Sequence, residues 1–218
     1  MSREGSHWAA AHPNARLEAL CDGVFAIAMT LLILDVRLPS TDEITNTAEL
    51  WRALRHLAPS VFAFILSFGV ILITWVNHHA VLRLVNNTSV AFMYANGFLL
   101  LTVVAIPFPT KLLGDFLQTN HAAPAVVLYN ATLALVAVGW ILVAGAAIHG
   151  HLTSDEGAAV TLGGSARNGY FAFALYALLA VAALWFPIPV AIVTTLSWLF
   201  WLVLGIRLKR VSVSSAPT

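Results

Sequence analysis

Charged side chains are scarce in this sequence: Asp, Glu, Lys and Arg make up 10% of its 218 residues, whereas soluble domains usually carry about 25%. Hydrophobic residues account for 60%. They fall in blocks of roughly 20 residues, which is the length of a helix that crosses a bilayer. The sequence therefore predicts an all-α membrane protein, with the lipid bilayer as its surroundings.

Cysteine and clustered basic residues are also nearly absent. Cys21 is the only cysteine, which excludes a disulfide within the chain. The net charge is +1, and the basic residues are scattered among the polar breaks, so we expect no nucleic-acid partner. Residues 1–15 lack the apolar core of a secretory signal, and we expect the first spanning helix to direct insertion.

Motifs of known enzyme classes are missing as well. The sequence has no Gly-rich phosphate loop, no G-x-S-x-G elbow and no H-E-x-x-H pair. His149 and His151 flank a glycine, but no third ligand lies near them in the sequence, as a zinc site would need. We therefore expect no catalytic residue, no metal and no cofactor.

Six apolar runs are separated by polar breaks. The predicted spans are 16–38, 59–77, 90–106, 124–148, 169–186 and 190–206. We expect Asn14 to cap the first span, Pro39 to end it, and the pairs Pro107/Pro109 and Pro187/Pro189 to mark helix ends and tight turns. Residues 40–50 are predicted to be a loop, and residues 51–55 an amphipathic approach to the membrane. The domain division is then an N-terminal segment 1–15, a six-helix domain 16–210 and a tail 211–218.

Six spans place both termini on one side of the membrane. That side collects Arg3, Arg16, Arg83, Arg167, Arg207, Lys209 and Arg210. The other side collects Arg37, Arg52, Arg55 and Lys111 with Asp42, Glu43 and Glu49. Because cytoplasmic loops are rich in Lys and Arg, we expect a multi-pass cell-membrane protein with both termini in the cytoplasm.

The first span carries two carboxylates, Glu18 and Asp22, where its apolar run begins. A charge at hydrocarbon depth costs roughly 3 kcal/mol on insertion scales, so Asp22 needs a partner. The first span begins on the side where the second ends. Candidates at matching depth are Arg16 on the same helix and Trp75, Asn77, His78 and His79 on the next. We interpret these residues as a polar clamp between the two helices, with a proton relay or an ion site as the alternatives.

The opposite face of the first span is purely aliphatic. At 100° per residue, Leu31 and Leu34 lie within about 40° of Ile27, whereas Asp22 lies about 140° away. Thr30 flanks this stripe and carries the only nearby hydroxyl on the helix. The stripe either faces lipid or core, or it constricts a water-filled path by dewetting. Periodicity leaves both alternatives open.

Three motifs resemble a known family, that of the lysosomal potassium channel TMEM175 and its prokaryotic relatives. Its R-x-x-x-F-S-D hallmark appears at 16–22, with Leu20 and Cys21 in place of Phe and Ser. Its W-x-N-H-H pattern appears at 75–79, and its P-F-P-T at 107–110. The resemblance covers residues 14–115, and the second half matches only in hydropathy.

The resemblance implies a potassium-selective cation channel, with K⁺ as the permeant ion. It also implies a homotetramer of six-helix subunits whose pore is lined by the first helix without a carbonyl filter, and the sequence has no T-V-G-Y-G run. Carried over by position, the hydrophobic constriction falls on Ile27, Leu31 and Leu34, with Ile27 nearest the narrowest ring. The polar network falls on Arg16, Asp22, Trp75 and His78, and Cys21 lacks one hydrogen bond of the hallmark serine.

Two other function classes are considered beside the channel. A proton-coupled secondary transporter would use Asp22 with His78 or His79 as the carrier. Transporters often show inverted repeats with broken helices, and we find no repeat between the two halves of this sequence. A membrane enzyme or haem protein that uses the histidines is the third class.

Overall fold

The structure, a computed structural model, describes residues 14–37, 40, 42 and 44–214, and gives the backbone alone for residues 202–214. Over these ranges the chain forms eight α-helices and one short 3₁₀ segment. They are α1 (Ala15–Leu31), the 3₁₀ segment (Leu32–Asp35), α2 (Thr47–His56), α3 (Ala58–Leu82), α4 (Val90–Ala105), α5 (Pro107–Phe116), α6 (Ala122–His149), α7 (Glu156–Ala182) and α8 (Pro187–Ser214). Several predictions lie outside the described residues: those on residues 1–13 with Arg3, Leu38 with the helix end at Pro39, Glu43, the side chains of Arg207, Lys209 and Arg210, and residues 215–218.

Four stretches are long and apolar enough to cross a membrane: Ala15–Asp35, Ala58–Leu82, Val90–Phe116 and Ala122–His149. A helix of 25 residues, such as α3, is about 37 Å long, and the hydrocarbon core of a bilayer is about 30 Å thick. The apolar helix Pro187–Trp201 is shorter within the described side chains. The predicted all-helical membrane class therefore holds, and length and hydropathy support four of the six predicted spans.

Pro107 and Pro109 follow a helix end, as predicted, but a second helix begins at Pro107 instead of a turn. α4 ends at Ala105, and α5 begins at Pro107 and continues to Phe116. Proline is tolerated in the first turn of a helix because its missing N–H has no partner there. The third span is consequently two helices joined at Ile106.

Two predicted loops are partly helical. Residues 149–168 were expected to separate two spans, but α7 begins at Glu156, where the Asp155 carboxylate accepts the Ala158 N–H at 2.7 Å. Arg167 therefore lies in a helix. Likewise α2 begins at Thr47, within the predicted loop 40–50, because N-terminal caps stabilise helix starts whatever their hydropathy.

The start of α2 is a reciprocal cap. The Asn46 side chain accepts the Glu49 N–H at 3.0 Å, and the Glu49 carboxylate accepts the Thr45 N–H at 2.8 Å. The hydrogen bonds from Thr45, chiefly the one from its backbone, hold the pKa of the Glu49 carboxyl below its ordinary value. α2 packs only lightly, along α3, and none of its side chains is buried. This is the amphipathic segment that the sequence predicted, extended at both ends.

Asn14 precedes α1 as predicted, but its side chain does not cap the helix. Instead its amide donates to the Val85 carbonyl at 2.8 Å. Val85 also forms an isolated antiparallel bridge with Thr153. The start of α1, the end of α3 and the α6–α7 connection therefore meet at one end of the bundle.

α6 is the central helix, and it packs on α4, α5, α7 and α8. Hydroxyl groups in the interior also connect α3, α5 and α6. Thr110, in the P-F-P-T motif, donates to Ser67 at 2.6 Å, and Ser67 is 3.0 Å from the Tyr129 hydroxyl. All three side chains are buried, so each polar group gains a partner where water is excluded.

Candidate functional site

α1 has one face in the protein interior. Cys21, Phe25, Ala28 and Leu32 follow one another at intervals of four, three and four residues, and all are completely buried. This face packs against α3 and α4. Because the thiol of Cys21 lies in this apolar layer, the hallmark serine position of the motif falls in the core of the chain rather than on an exposed surface.

The opposite face of α1 carries the predicted aliphatic stripe. Ile27 is 58% exposed, Leu31 40% and Leu34 72%. Leu20, about two turns before Ile27, is exposed as well. None of these side chains contributes to the core of the chain, so the stripe is available to lipid, to a water-filled path or to a second copy of the chain.

The sequence predicts one continuous α-helix for the whole stripe, but the α-helix ends at Leu31. Residues 32–35 form a 3₁₀ turn, in which side chains at i and i+3 eclipse one another. Leu34 therefore lies almost directly in line with Leu31, rather than offset from it as on an α-helix. The tighter turn keeps the stripe straight at its far end, and it also exposes Ile33 beside it.

Thr30 lies on the exposed side of α1. Its hydroxyl donates to the Ile27 carbonyl at 2.9 Å, so the hydrogen is used within the helix. The hydroxyl oxygen keeps lone pairs that can accept a bond from water or contact a cation. It is the polar group nearest to the stripe on this helix.

Two polar contacts, one helical turn apart, join α1 to α3. The Trp75 indole N–H donates to the Asp22 carboxylate at 2.8 Å, and His79 Nδ1 lies 3.0 Å from the Glu18 carboxylate. Trp75 and His79 are one turn apart and stack at 6.5 Å. Glu18 and Asp22 are also one turn apart, so the two contacts fix α1 antiparallel to α3. We call this pair of contacts the α1–α3 ladder.

His78 belongs to a separate contact with α4. Its Nε2 lies 2.8 Å from the Asn96 side-chain oxygen, and the Asn96 amide donates to the Phe92 carbonyl. Since that oxygen is the acceptor, the geometry assigns the hydrogen to His78 Nε2. The imidazole is buried between the rings of Phe25 and Trp140.

Two residues of the predicted network, Arg16 and Asn77, lie away from the other three. Arg16 is exposed and makes no ion pair or hydrogen bond within the part of the chain that the structure describes. Asn77 lies on the side of α3 turned away from α1, where it lines a cavity with α7 residues. The predicted five-residue network is therefore a contact between Asp22 and Trp75 and a second, independent contact at His78.

Sequence reasoning missed two partners. Glu18 and His79 were noticed singly, and their pairing follows once Asp22 is matched to Trp75, because four residues back on one antiparallel helix face four residues forward on the other. Asn96 carries no such signal, since it sits alone in an apolar run. The whole arrangement fixes one face of α1 by hydrogen bonds and leaves the other face aliphatic, a construction that can line a path.

The chain is similar to a known protein family over its first half. The family described as the endosomal/lysosomal potassium channel TMEM175 matches residues 16–107. A potassium channel of Chamaesiphon minutus is 44% identical over 125 residues, which cover 57% of this chain and 61% of that protein. A potassium channel of Streptomyces collinus is 43% identical over 135 residues, covering 59% of this chain and 64% of that one. Both matches span less than two thirds of the relative.

A solved structure extends the match to the second half of the chain. The crystal structure of a lysosomal potassium-selective channel TMEM175 homolog from Chamaesiphon minutus has a TM-score of 0.79 at 31% identity. The match covers 88% of this chain and 98% of that chain. The later helices, which resembled the family only in hydropathy, therefore share its fold.

Proposed function

Because this chain belongs to the TMEM175 family of potassium channels, we propose that it is a potassium-selective channel whose pore is lined by α1. One subunit offers a single aliphatic stripe, so a closed path needs several copies of it. Closed cyclic assemblies are the usual form of homo-oligomers, and we propose a homotetramer with K⁺ as the permeant ion. No cofactor and no enzymatic step enter this function.

The observation that carries the proposal is the division of α1 into two faces. Asp22 is bonded to Trp75 on one side, while Ile27 and Leu34 are more than half exposed on the other. In a tetramer, four such stripes would form rings of Ile27, Leu31 and Leu34 around the axis. A narrow ring of aliphatic side chains excludes water until it widens, so the closed state needs no charged plug.

Selectivity in such a pore would depend on dehydration, since the sequence contains no T-V-G-Y-G filter. A larger cation loses its water at lower cost, which favours K⁺ over Na⁺ at an apolar constriction. The Thr30 oxygen, next to the stripe, would supply the nearest polar contact during that passage.

We further propose that both termini lie in the cytoplasm of the cell. Arg16 follows Asn14, and Asn14 bonds to Val85 close to Arg83, so two basic side chains lie at the same end of the bundle. This agrees with the Lys/Arg bias of cytoplasmic loops. A fluorescent reporter that folds only in the cytoplasm, fused to the C-terminus of the full chain, tests this orientation.

The proposed function is tested by reconstituting the purified chain in liposomes with a K⁺ gradient. We expect uncoupled K⁺ flux that exceeds Na⁺ flux, and a particle in native mass spectrometry with four times the chain mass of 23.4 kDa. Flux that saturates and requires a counter-ion would overturn the channel and favour a carrier. Equal Na⁺ and K⁺ flux would overturn selectivity while keeping the pore.

The transporter alternative receives less support from the geometry. Within the described residues, no hydrogen bond or ion pair joins Asp22 to His78 or His79. Asp22 is bonded to an indole, which cannot accept a proton from it in a relay. A proton gradient in the same liposomes provides the test, because a coupled carrier would drive K⁺ uptake from the proton gradient alone.

A further inference from the structure

The helix α2 has no buried side chain, and it ends next to a membrane span. Only Leu57 separates it from Ala58, where the second long apolar stretch begins. Arg55 therefore lies about 5 Å along the chain from that span, since a helical residue advances about 1.5 Å. The headgroup layer on each side of a bilayer is about 5–7 Å thick. The C-terminal end of α2 is consequently held close to the headgroups.

One face of α2 is apolar and uncovered. At 100° per residue, Leu50, Trp51 and Leu54 fall within an arc of about 100°. All three side chains are exposed, Trp51 by 61%. Helices with tryptophan and leucine on one side and basic residues on the other bury the apolar side at the boundary between headgroups and acyl chains. That boundary is also where tryptophan is enriched, so it is the surrounding that fits this face.

The adjoining face of α2 is basic. Arg52 and Arg55 lie about 60° apart around the helix, and both are exposed. Neither forms an ion pair in the part of the chain that the structure describes. The enrichment of Lys and Arg in cytoplasmic loops does not account for this pair, because α2 connects the first two spans at the end of the bundle opposite Asn14. The two guanidinium groups are therefore available to an anion at the membrane surface.

Glu49, three residues before Arg52, does not neutralise the pair. Its carboxylate is turned to the helix cap, where it accepts the backbone N–H and the hydroxyl of Thr45, each at 2.8 Å. The planar guanidinium fork matches the oxygens of a phosphate group. A zwitterionic headgroup brings its own cation to that phosphate, whereas an anionic phospholipid does not. Two copies of the chain that met through this same face would set arginine against arginine, which is unfavourable.

We propose that α2 binds anionic phospholipid, with phosphatidylglycerol as the simplest example. Its apolar face lies at the boundary of the acyl chains, and Arg52 and Arg55 bind the headgroup phosphate. The two charges select this lipid from the zwitterionic lipid of the bulk bilayer, since each arginine near an anionic surface raises the affinity about fivefold. The surface is separate from the α1 stripe and does not depend on which ion the protein conducts.

Trp51 provides the readout, because it lies on the apolar face of α2. The full chain is placed in nanodiscs of phosphatidylcholine that contain a small share of phosphatidylglycerol. In one preparation the phosphatidylglycerol carries brominated acyl chains, and in the other an equal share of the phosphatidylcholine does. The signal of Trp51 is the difference in fluorescence between the chain and Trp51→Phe. We expect brominated phosphatidylglycerol to quench this signal several-fold more strongly than brominated phosphatidylcholine.

Two double variants locate the selection. Arg52→Gln with Arg55→Gln removes both charges from a helix without buried side chains, and the two brominated lipids should then quench Trp51 equally. Arg83→Gln with Arg167→Gln is the matched control, because it removes the same charge from exposed positions outside α2. The preference for phosphatidylglycerol should be unchanged in this control.

Equal quenching by the two lipids in the unaltered chain would overturn the proposal, because Trp51 would then lie in bulk lipid without selection. An absence of quenching by either lipid would overturn it as well and would indicate that water or a second copy of the chain covers this face. A preference that survives Arg52→Gln with Arg55→Gln, or that is lost in the control, excludes α2 as its source. Potassium flux plays no part in these measurements, so their failure and the failure of the channel proposal are distinguishable.

Discussion

The indole of Trp75 and the carboxylate of Asp22 are joined across 2.8 Å between α3 and α1. Asp22 is the residue on α1 that membrane energetics would single out for function. Its bond to Trp75 instead makes it part of the α1–α3 ladder, which fixes the face of α1 opposite the aliphatic stripe. Any movement of α1 that widened the proposed pore would have to carry α3 with it or break this contact.

The first prediction concerns the Trp75–Asp22 contact itself. Trp75→Phe should leave the Asp22 carboxylate without its donor and destabilise the subunit by about 1–3 kcal/mol. Asp22→Asn, which keeps an acceptor oxygen, should cost less. The measurement is the thermal unfolding midpoint in detergent, with Trp51→Phe on the exposed helix α2 as the matched control. If Trp75→Phe is as stable as Trp51→Phe, the contact does not stabilise α1.

The second prediction tests which environment the stripe faces. Ile27→Asn should allow water into the proposed constriction, increase cation flux several-fold and reduce the preference for K⁺. The control is Leu101→Asn, a residue of α4 that is 66% exposed and lies on another helix. If Ile27 simply faces lipid, both variants should behave alike in liposome flux. A larger flux from Ile27→Asn alone supports the pore.

The third prediction concerns the buried pair of His78 and Asn96. Asn96→Leu should leave the His78 N–H without a partner in the interior and cost about 1–3 kcal/mol. Replacing both residues, as His78→Phe with Asn96→Leu, should cost less than the sum of the single changes, because neither polar group is then stranded. Unfolding midpoints of the four proteins in the cycle measure this coupling. Strict additivity would mean that the 2.8 Å contact contributes nothing.

Hydropathy predicted the class of fold, because burial of apolar surface governs it. The helical wheel placed Ile27 opposite Asp22 on α1 but left open which face is buried, and the structure buries the face of Cys21 and Phe25. Boundaries were harder, since Pro107 can begin a helix as well as end one and the Asp155 cap starts α7 inside a polar segment.

Contacts between distant segments were harder still to predict. The partner of His78 depends on which residue of α4 lies opposite it in the bundle. The residues around Asn96 in the sequence give no indication that it is that partner. The side of α3 that Asn77 faces depends on how the helix is rotated in the bundle. The cavity it lines lies between α3 and the α6–α7 pair, a feature of the assembled fold rather than of any local pattern.

The last prediction concerns the crossing of α3 and α5. At Gly114 a Cβ would lie 2.9 Å from the Ser60 Cα, a backbone atom that cannot rotate away. Gly114→Ala should therefore force the helices apart and destabilise the fold by about 1–3 kcal/mol, the usual cost of overpacking. Gly97 in α4 has nothing within 4 Å of the same position, so Gly97→Ala should be neutral or stabilising by roughly 0.5–1 kcal/mol through helix propensity. Opposite shifts of the two unfolding midpoints are expected, and an equal response at both sites would contradict the close crossing.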